Sequence, residues 1–248
     1  LGCYIKSATQ QFPVLLVTGP RQVGKTTLLK KLAEESRSYV TLDDPMVRAL
    51  ANEEPALFLQ RFRPPLLIDE IQYAPQLLPL IKMAVDRDRS PGQFWLTGSQ
   101  QFHLMKNVSE SLAGRVGVVN LLGLSRREMI GQAEAPPFLP TEVRLAVRKE
   151  SPSLSLQELY ERIWLGSFPA LYRENPIDWN LFYSSYVQTY LERDVQELAN
   201  VGDGRSFLRF LRACAAQTGQ MLNVQDLCRV SGVHQMTANR WLSILEAS

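Results

Sequence analysis

The chain has 248 residues, 45% of them apolar and 21% charged, with a formal net charge of +2. That length carries a sizeable core in one large domain or two small ones, and the composition reads as an ordinary soluble globular protein. With so little net charge no global field points to a polyanion, so any nucleic-acid surface has to be local. Cys3, Cys214 and Cys228 are odd in number and widely spaced, which suits neither a metal-ligand pattern nor a disulfide framework. A reducing, cytoplasmic compartment is the simpler expectation. No apolar run approaches the roughly 20 residues a bilayer span needs, so a membrane is not an expected partner. The first ten residues lack the apolar stretch of a secretory signal. The chain begins at Leu1 rather than Met, so a native N-terminus further upstream is expected.

In chain order, the first strong signal is PVLLVT, Pro13 to Thr18, short, apolar and partly β-branched, which predicts a buried strand. From Thr26 to Ala33, leucines at 28, 29 and 32 keep helical spacing. Between them, GPRQVGKT fits G-x-x-x-x-G-K-[ST], with Gly19, Gly24, Lys25 and Thr26 in the fixed places and Pro20, Arg21, Gln22 and Val23 in the loop. Glycines let the backbone turn its N–H groups inward, where they can cradle phosphate oxygens, and the helix N-terminus adds partial positive charge. Lys25 would neutralise the β- and γ-phosphates, the Thr26 hydroxyl would ligate Mg²⁺, and Thr27 would complete the phosphate-binding set. A glycine-containing turn before an ordinary helix is the plainer alternative, and the strand-loop-helix context argues against it.

YVTLDDP, Tyr39 to Pro45, reads as a strand ending in acids. Asp43 and Asp44 could cap the following helix or touch a nucleotide, and capping is favoured. PPLLIDEIQYAP follows, with a buried strand at Leu66 to Ile68 and the carboxylates Asp69 and Glu70 at its C-terminal end, where open α/β sheets collect ligands. Asp69 would hold the Mg²⁺ shell, and Glu70 would polarise the attacking water, so Glu70 and Lys25 are the candidate catalytic residues. A strand lying in sequence between the loop and the Asp-Glu pair is typical of the P-loop ATPases with a catalytic glutamate. Leu77 to Asp88 predicts an amphipathic helix on the sheet. QFWLTGSQ predicts another strand, whose end offers Thr97 or Ser99 as a γ-phosphate sensor. Val116 to Leu122 predicts a fifth strand, and Arg115 at its start could reach a γ-phosphate within the chain or from a neighbour, or be a surface arginine. The chain has no Asn-Lys-x-Asp motif of the kind that reads guanine, so ATP is preferred over GTP.

Beyond Gln132 the pattern loosens into Pro- and Ser-rich stretches, APPFLP and KESPSLS, and from Leu156 it is helical throughout. Phe182, Tyr183, Tyr186 and Tyr190 keep a spacing that is more often helix core than a base-stacking platform. GPRQVGKTTLL, YVTLDDP, LLIDEIQYAP, FWLTGSQ and LAGRV, with the later WLGSFPAL and YVQTYLERDVQEL, resemble a prokaryotic family of AAA-type P-loop ATPases carrying a C-terminal helical module of uncharacterised kind, the AAA_14 and DUF4143 type. The resemblance covers most of the chain. It implies an AAA-like α/β core with a parallel sheet, followed by an all-α, winged-helix-type domain. Lys25, Thr26, Asp69 and Glu70 match the family's site, and Arg115 matches in its local setting only. Self-assembly into a homo-oligomer is also implied, because a neighbour's arginine often completes such sites. Family members often continue into a nuclease-like region, which this sequence does not include.

The expected organisation is therefore an ATP-binding domain at 1–135, a linker at 136–157 and a helical domain at 158–248, with a helix-turn-helix at about 205–248. Phe207 to Thr218, LNVQDLCRVSGV and HQMTANRWLSILEA read as its three helices, with Gly232 in the turn. Leu222, Val224, Leu227, Val233, Trp241, Ile244 and Leu245 are the expected small core. Gln235, Thr237, Asn239 and Arg240, at the start of the third helix, are candidate DNA contacts. Few lysines support them, and the wing that normally follows is absent from the sequence. His103 and His234 lie too far apart in sequence to suggest a metal site. Two readings of function stay open. One is Mg-dependent ATP hydrolysis that moves the helix-turn-helix domain on DNA. The other is a slow nucleotide-gated switch that grips a protein partner.

Overall fold

The structure is a computed structural model that describes residues 1–98, 108, 110–133, 139–143, 145, 154–190 and 204–247. Its N-terminal part is a five-stranded sheet in which every described pairing is parallel. The strands are β1 (Val14–Thr18), β2 (Ser38–Thr41), β3 (Leu66–Asp69), β4 (Phe94–Thr97) and β5 (Val116–Asn120), in the order β2-β3-β4-β1-β5. All residues of β1, β3 and β4 are buried, as an apolar strand covered on both faces must be, whereas the edge strand β5 alternates. In sequence, β2 lies between the P-loop strand and the Asp-Glu strand. In space it forms the sheet edge, and β4 is the strand between β1 and β3. Leu96 is the register partner of both Leu16 and Ile68.

Strand alternation divides the core into two layers. Leu16, Ile68, Phe94 and Leu96 face one way, toward α3 (Pro45–Glu53), α4 (Pro55–Arg61) and α5 (Leu77–Arg87). Leu15, Val17, Leu67 and Trp95 face the other way, toward α1 (Gly2–Thr9) and α2 (Lys25–Leu32). Asp44 caps α3 by accepting from the N–H groups of Met46 and Val47, the capping role favoured for it above. A short helix α6 (Arg126–Met129) follows β5.

The C-terminal part is helical in its described residues: α7 (Leu156–Leu165), α8 (Trp179–Tyr190), α9 (Gly204–Ala216), α10 (Val224–Ser231) and α11 (Gln235–Ala247). Leu156 and Gln157, placed in the linker above, belong to α7, because Ser155 and Glu158 form a reciprocal capping box that starts the helix there. Phe168 on the intervening turn packs against Phe182 and Tyr186 of α8, so these aromatics are core. The side chain of Tyr190 lies outside the described residues, as do residues 191–198 of the YVQTYLERDVQEL segment. Helices α9 to α11 share a separate small core in which Trp241 meets Phe207 and Phe210 edge-on, with Leu227 and Ala238 buried beside them. Val224, Val233 and Leu245 pack against it as expected. Leu222 does not. It is 61% exposed, because Asn223 is the N-cap of α10 and Leu222 precedes the helix. The side chain of Ile244 is outside the described set. Among the described residues no helix is long and apolar enough to cross a membrane.

Candidate functional site

The carboxyl ends of β1 and β3, with the N-terminus of α2, define the site. Gly19 leaves β1 at φ 137°, and a Cβ there would lie 2.0 Å from the Leu121 carbonyl oxygen. Only glycine lets the loop begin so close to the chain leaving β5. Gly24 is the N-cap of α2 at φ 93°, again a left-handed residue. The first intrahelical bond runs from Leu28 N–H to the Gly24 carbonyl (2.9 Å), so the amides of residues 25–27 precede the ladder at the positive end of the helix. The Lys25 ammonium is buried and donates to the carbonyl oxygens of Pro20 (2.8 Å) and Gly19 (3.0 Å). Lysine is thus already folded back over its own loop.

Asp69, 6% exposed, ends β3 directly opposite Thr26, whose hydroxyl donates to Asp69 Oδ1 at 2.7 Å. Thr97, fully buried at the end of β4, also donates to Asp69 Oδ1 and accepts from the Glu70 N–H at 3.0 Å. Glu70 sits at φ 60°, ψ 48°, and Gln22 in the loop at φ 62°. These are the two non-glycine residues with positive φ among those described, and both line the same cleft. Left-handed conformations cost non-glycine residues about 1–3 kcal/mol and cluster at functional sites. The Gln72 amide donates to the Glu70 carboxylate. A hydroxyl and a carboxylate at hydrogen-bond distance are a hard oxygen set that suits Mg²⁺.

These groups open on one cleft of about 410 Å³, within the usual range for small-molecule sites. Arg21, Gln22, Gly24, Lys25, Thr26 and Thr27 form its loop wall and Glu70 its other side. Thr189 of α8 also lines it. Leu124 N–H donates to the Ser167 carbonyl at 2.7 Å, so the helical part is tied to the sheet at a second place.

Sequence reasoning missed three residues here: Tyr39, Gln72 and Thr189. The Tyr39 hydroxyl donates to Asp69 Oδ2 at 3.1 Å, a contact visible only once β2 is known to pair with β3. Arg115 lies elsewhere. Its carbonyl accepts from Val14 N–H at the start of β1, while the loop follows the end of that strand. Five strand residues separate the two ends, roughly 16 Å. Its guanidinium is bound to Asp86, Nε to Oδ1 at 2.5 Å and Nη2 to Oδ2 at 3.0 Å, and this holds the Asp86 carboxyl below its usual range. Arg115 therefore does not reach the cleft of its own chain. Ser99 and His103 lie outside the described residues. Gln235, Asn239 and Arg240 are exposed on α11, and Thr237 is half-buried. Among the described residues no cluster of His, Cys, Asp and Glu is fit to hold a metal by itself.

Residues 11–130 match the model of an AAA domain, and residues 156–248 match a domain of unknown function, DUF8612, not the DUF4143 type expected above. Over 247 residues the chain is 33% identical to uncharacterized proteins of Mycobacterium bovis and of Mycobacterium tuberculosis, covering 97% of this chain and 49% of each relative. The chain thus spans about half the length of the curated relatives it matches. In fold it is similar to the Walker-type ATPase PABY2304 of Pyrococcus abyssi, with a TM-score of 0.56 at 15% identity over 99% of this chain and 87% of that one. The N-terminal part thus matches an AAA-domain model over residues 11–130 and shares its parallel α/β fold with that Walker-type ATPase.

Proposed function

We propose that the chain binds ATP with Mg²⁺, hydrolyses it, and passes the state of the cleft to its helical module, which acts on DNA. The observation that carries the reading is the convergence of the phosphate-binding loop, the Thr26–Asp69 pair and Glu70 on one cleft that α8 also lines through Thr189. Loop amides and Lys25 hold the β- and γ-phosphates, with the Lys25 ammonium moving from the Gly19 and Pro20 carbonyls to a phosphate oxygen. Thr26 and Asp69 hold Mg²⁺, which when bound neutralises charge on the phosphoryl oxygens. Glu70 accepts the proton of the attacking water once its carboxylate leaves the Gln72 amide. Thr97 ties the ends of β3 and β4 together at the point where a γ-phosphate would be sensed. Gln235, Thr237, Asn239 and Arg240 of α11, in a helix-turn-helix of α10 and α11, are the proposed DNA contacts.

A second reading has a specific observation behind it. Met221, Leu222, Val230 and Met236 are large, apolar and exposed on that same module. Such residues suit a protein partner gripped in one nucleotide state better than a phosphate backbone. Turnover of the chain with and without duplex DNA, across a salt series, tests the two. DNA-stimulated turnover that weakens with salt, and that Glu70→Gln abolishes while ATP still binds, supports the DNA reading. Turnover indifferent to DNA supports the partner reading. No nucleotide binding in the wild type sinks both.

A further inference from the structure

The Asp69 carboxylate receives hydroxyl hydrogen bonds from three separate elements. Thr26 on α2 and Thr97 on β4 both meet Oδ1, while Tyr39 on β2 meets Oδ2. The first two belong to the site as read from sequence. Tyr39 stands on the edge strand, two residues before Thr41, the register partner of Asp69. The residue is 40% exposed and so does not belong to the core, yet its ring is held on its face as well: the Lys30 ammonium, one turn along the P-loop helix, lies 3.5 Å from the ring centroid. A tyrosine that merely covered a sheet edge would have no need to aim its hydroxyl at a buried carboxylate.

We propose that Tyr39 is a positioning residue that fixes the plane of the Asp69 carboxylate and so sets the affinity of the site for Mg²⁺. The proposal rests on the reading of the cleft as a Mg-nucleotide site. The terminal torsion of aspartate is broad and roughly two-fold, so a carboxylate pinned at one oxygen can swing. When the Thr26 hydroxyl turns from Asp69 to the metal, Thr97 alone would pin Oδ1. Tyr39 supplies the second point, on the other oxygen and from the other side. The Lys30 contact in turn couples the ring to the helix that carries Thr26, so the two metal-facing groups share one brace.

The test uses the full chain and a fluorescent ATP analogue, titrated with Mg²⁺ at fixed nucleotide and also without metal. Tyr39→Phe keeps the ring and its cation contact and removes only the hydroxyl. The expected result is a Mg²⁺ midpoint raised about three- to ten-fold, the scale of one ordinary net hydrogen bond, with metal-free nucleotide affinity unchanged. A merely structural role would lower the melting temperature without moving that midpoint. A Tyr39→Phe midpoint within two-fold of wild type overturns the proposal. So does a shift that appears only in Tyr39→Ala, since that would assign it to the ring. If wild type binds the analogue no better with Mg²⁺ than without, or if Lys25→Ala binds it as wild type does, the underlying reading of the cleft fails and takes this one with it.

Discussion

Thr97→Val isolates the joint between the two carboxylate-bearing residues. Thr97 is fully buried, and its one hydroxyl serves two neighbours, donating to Asp69 and accepting from the Glu70 N–H at 3.0 Å. Valine matches the shape, so no cavity opens, but both bonds go. A hydrogen bond to a charged acceptor contributes about 1.5–3 kcal/mol, and depriving a half-buried amide of its acceptor costs about 1 kcal/mol more. The sum is about 3 kcal/mol. In a chain of this size each kcal/mol moves the melting temperature by about 2–4 °C, so Thr97→Val should melt about 6–12 °C below wild type. Glu70 is also held in its left-handed conformation partly by that bond, and it should relax when the bond is gone. Hydrolysis should then fall at least about ten-fold, with metal-free ATP binding within two-fold. Thr97→Ser restores the hydroxyl and should recover most of both. Scanning calorimetry of the nucleotide-free chain checks the first figure, and a melting temperature within 2 °C of wild type would refute the account of this joint.

Two further variants test the electrostatics away from the cleft. Arg115→Ala breaks an exposed ion pair with Asp86 and should leave ATP binding unchanged and the melting temperature within about 2 °C, measured by dye binding and thermal shift; a large loss of nucleotide affinity in the monomer would contradict its placement at the far end of the sheet. Glu34→Gln tests the pair with the buried Arg37, which also donates to the Gly92 carbonyl and stacks on Trp95. Burial tends to raise the Glu34 carboxyl, but the Arg37 hydrogen bond, a backbone hydrogen bond and the Arg37 charge together outweigh it, and the net shift is downward. A depressed folded value gives stability that is present above the unfolded pKa, near 4.3, and lost as pH falls through the lower folded value. Wild type should therefore melt above Glu34→Gln at pH 7, by up to about 4 °C given the half-exposed carboxylate, and the gap should close as pH falls beneath the lowered folded value. A gap that persists there would point to packing instead.

The parts of the site legible in the sequence are those whose chemistry is local. Gly19 to Thr27 carry their function in a run of nine residues, and Asp69 and Glu70 are adjacent at the end of an apolar strand. What escaped depends on which strands become neighbours. Tyr39 looks like one alternating residue of a strand until β2 pairs with β3. Thr189 looks like one polar residue on a helix until that helix is seen to line the cleft. The misreadings have equally definite causes. Of the three roles left open for Arg115, strand direction favours the surface arginine over the in-chain one: it precedes β5, and in a parallel sheet the start of a strand is the end away from the cleft. Leu222 was counted into a core on hydropathy alone, although the Asn that follows it is a cap and puts it outside the helix.

Chain connectivity around the cleft bears on how a nucleotide could be felt by the helical module. Thr18 accepts from Leu121 N–H at 2.8 Å, and the Leu121 carbonyl leaves no room for a side chain at Gly19. Three residues on, Leu124 is bonded to Ser167, and a Cβ on Gly123 would sit 2.2 Å from the Ser167 hydroxyl oxygen. From Ser167 the chain runs through the Phe168 cluster into α8, whose Thr189 returns to the cleft. The loop therefore meets the module from behind, through the chain leaving β5, and shares its cleft with Thr189 in front. Contiguity alone does not make coupling, which also needs a part with two discrete arrangements that both sites bias. Lys25 supplies the nucleotide half of that condition in the proposed reading: its ammonium is bound to the Pro20 and Gly19 carbonyls, and a phosphate would take it from them. Gly19, whose carbonyl the ammonium would leave, is also the loop residue crowded by the Leu121 carbonyl, so the chain leaving β5 is the place to look for a change when nucleotide binds.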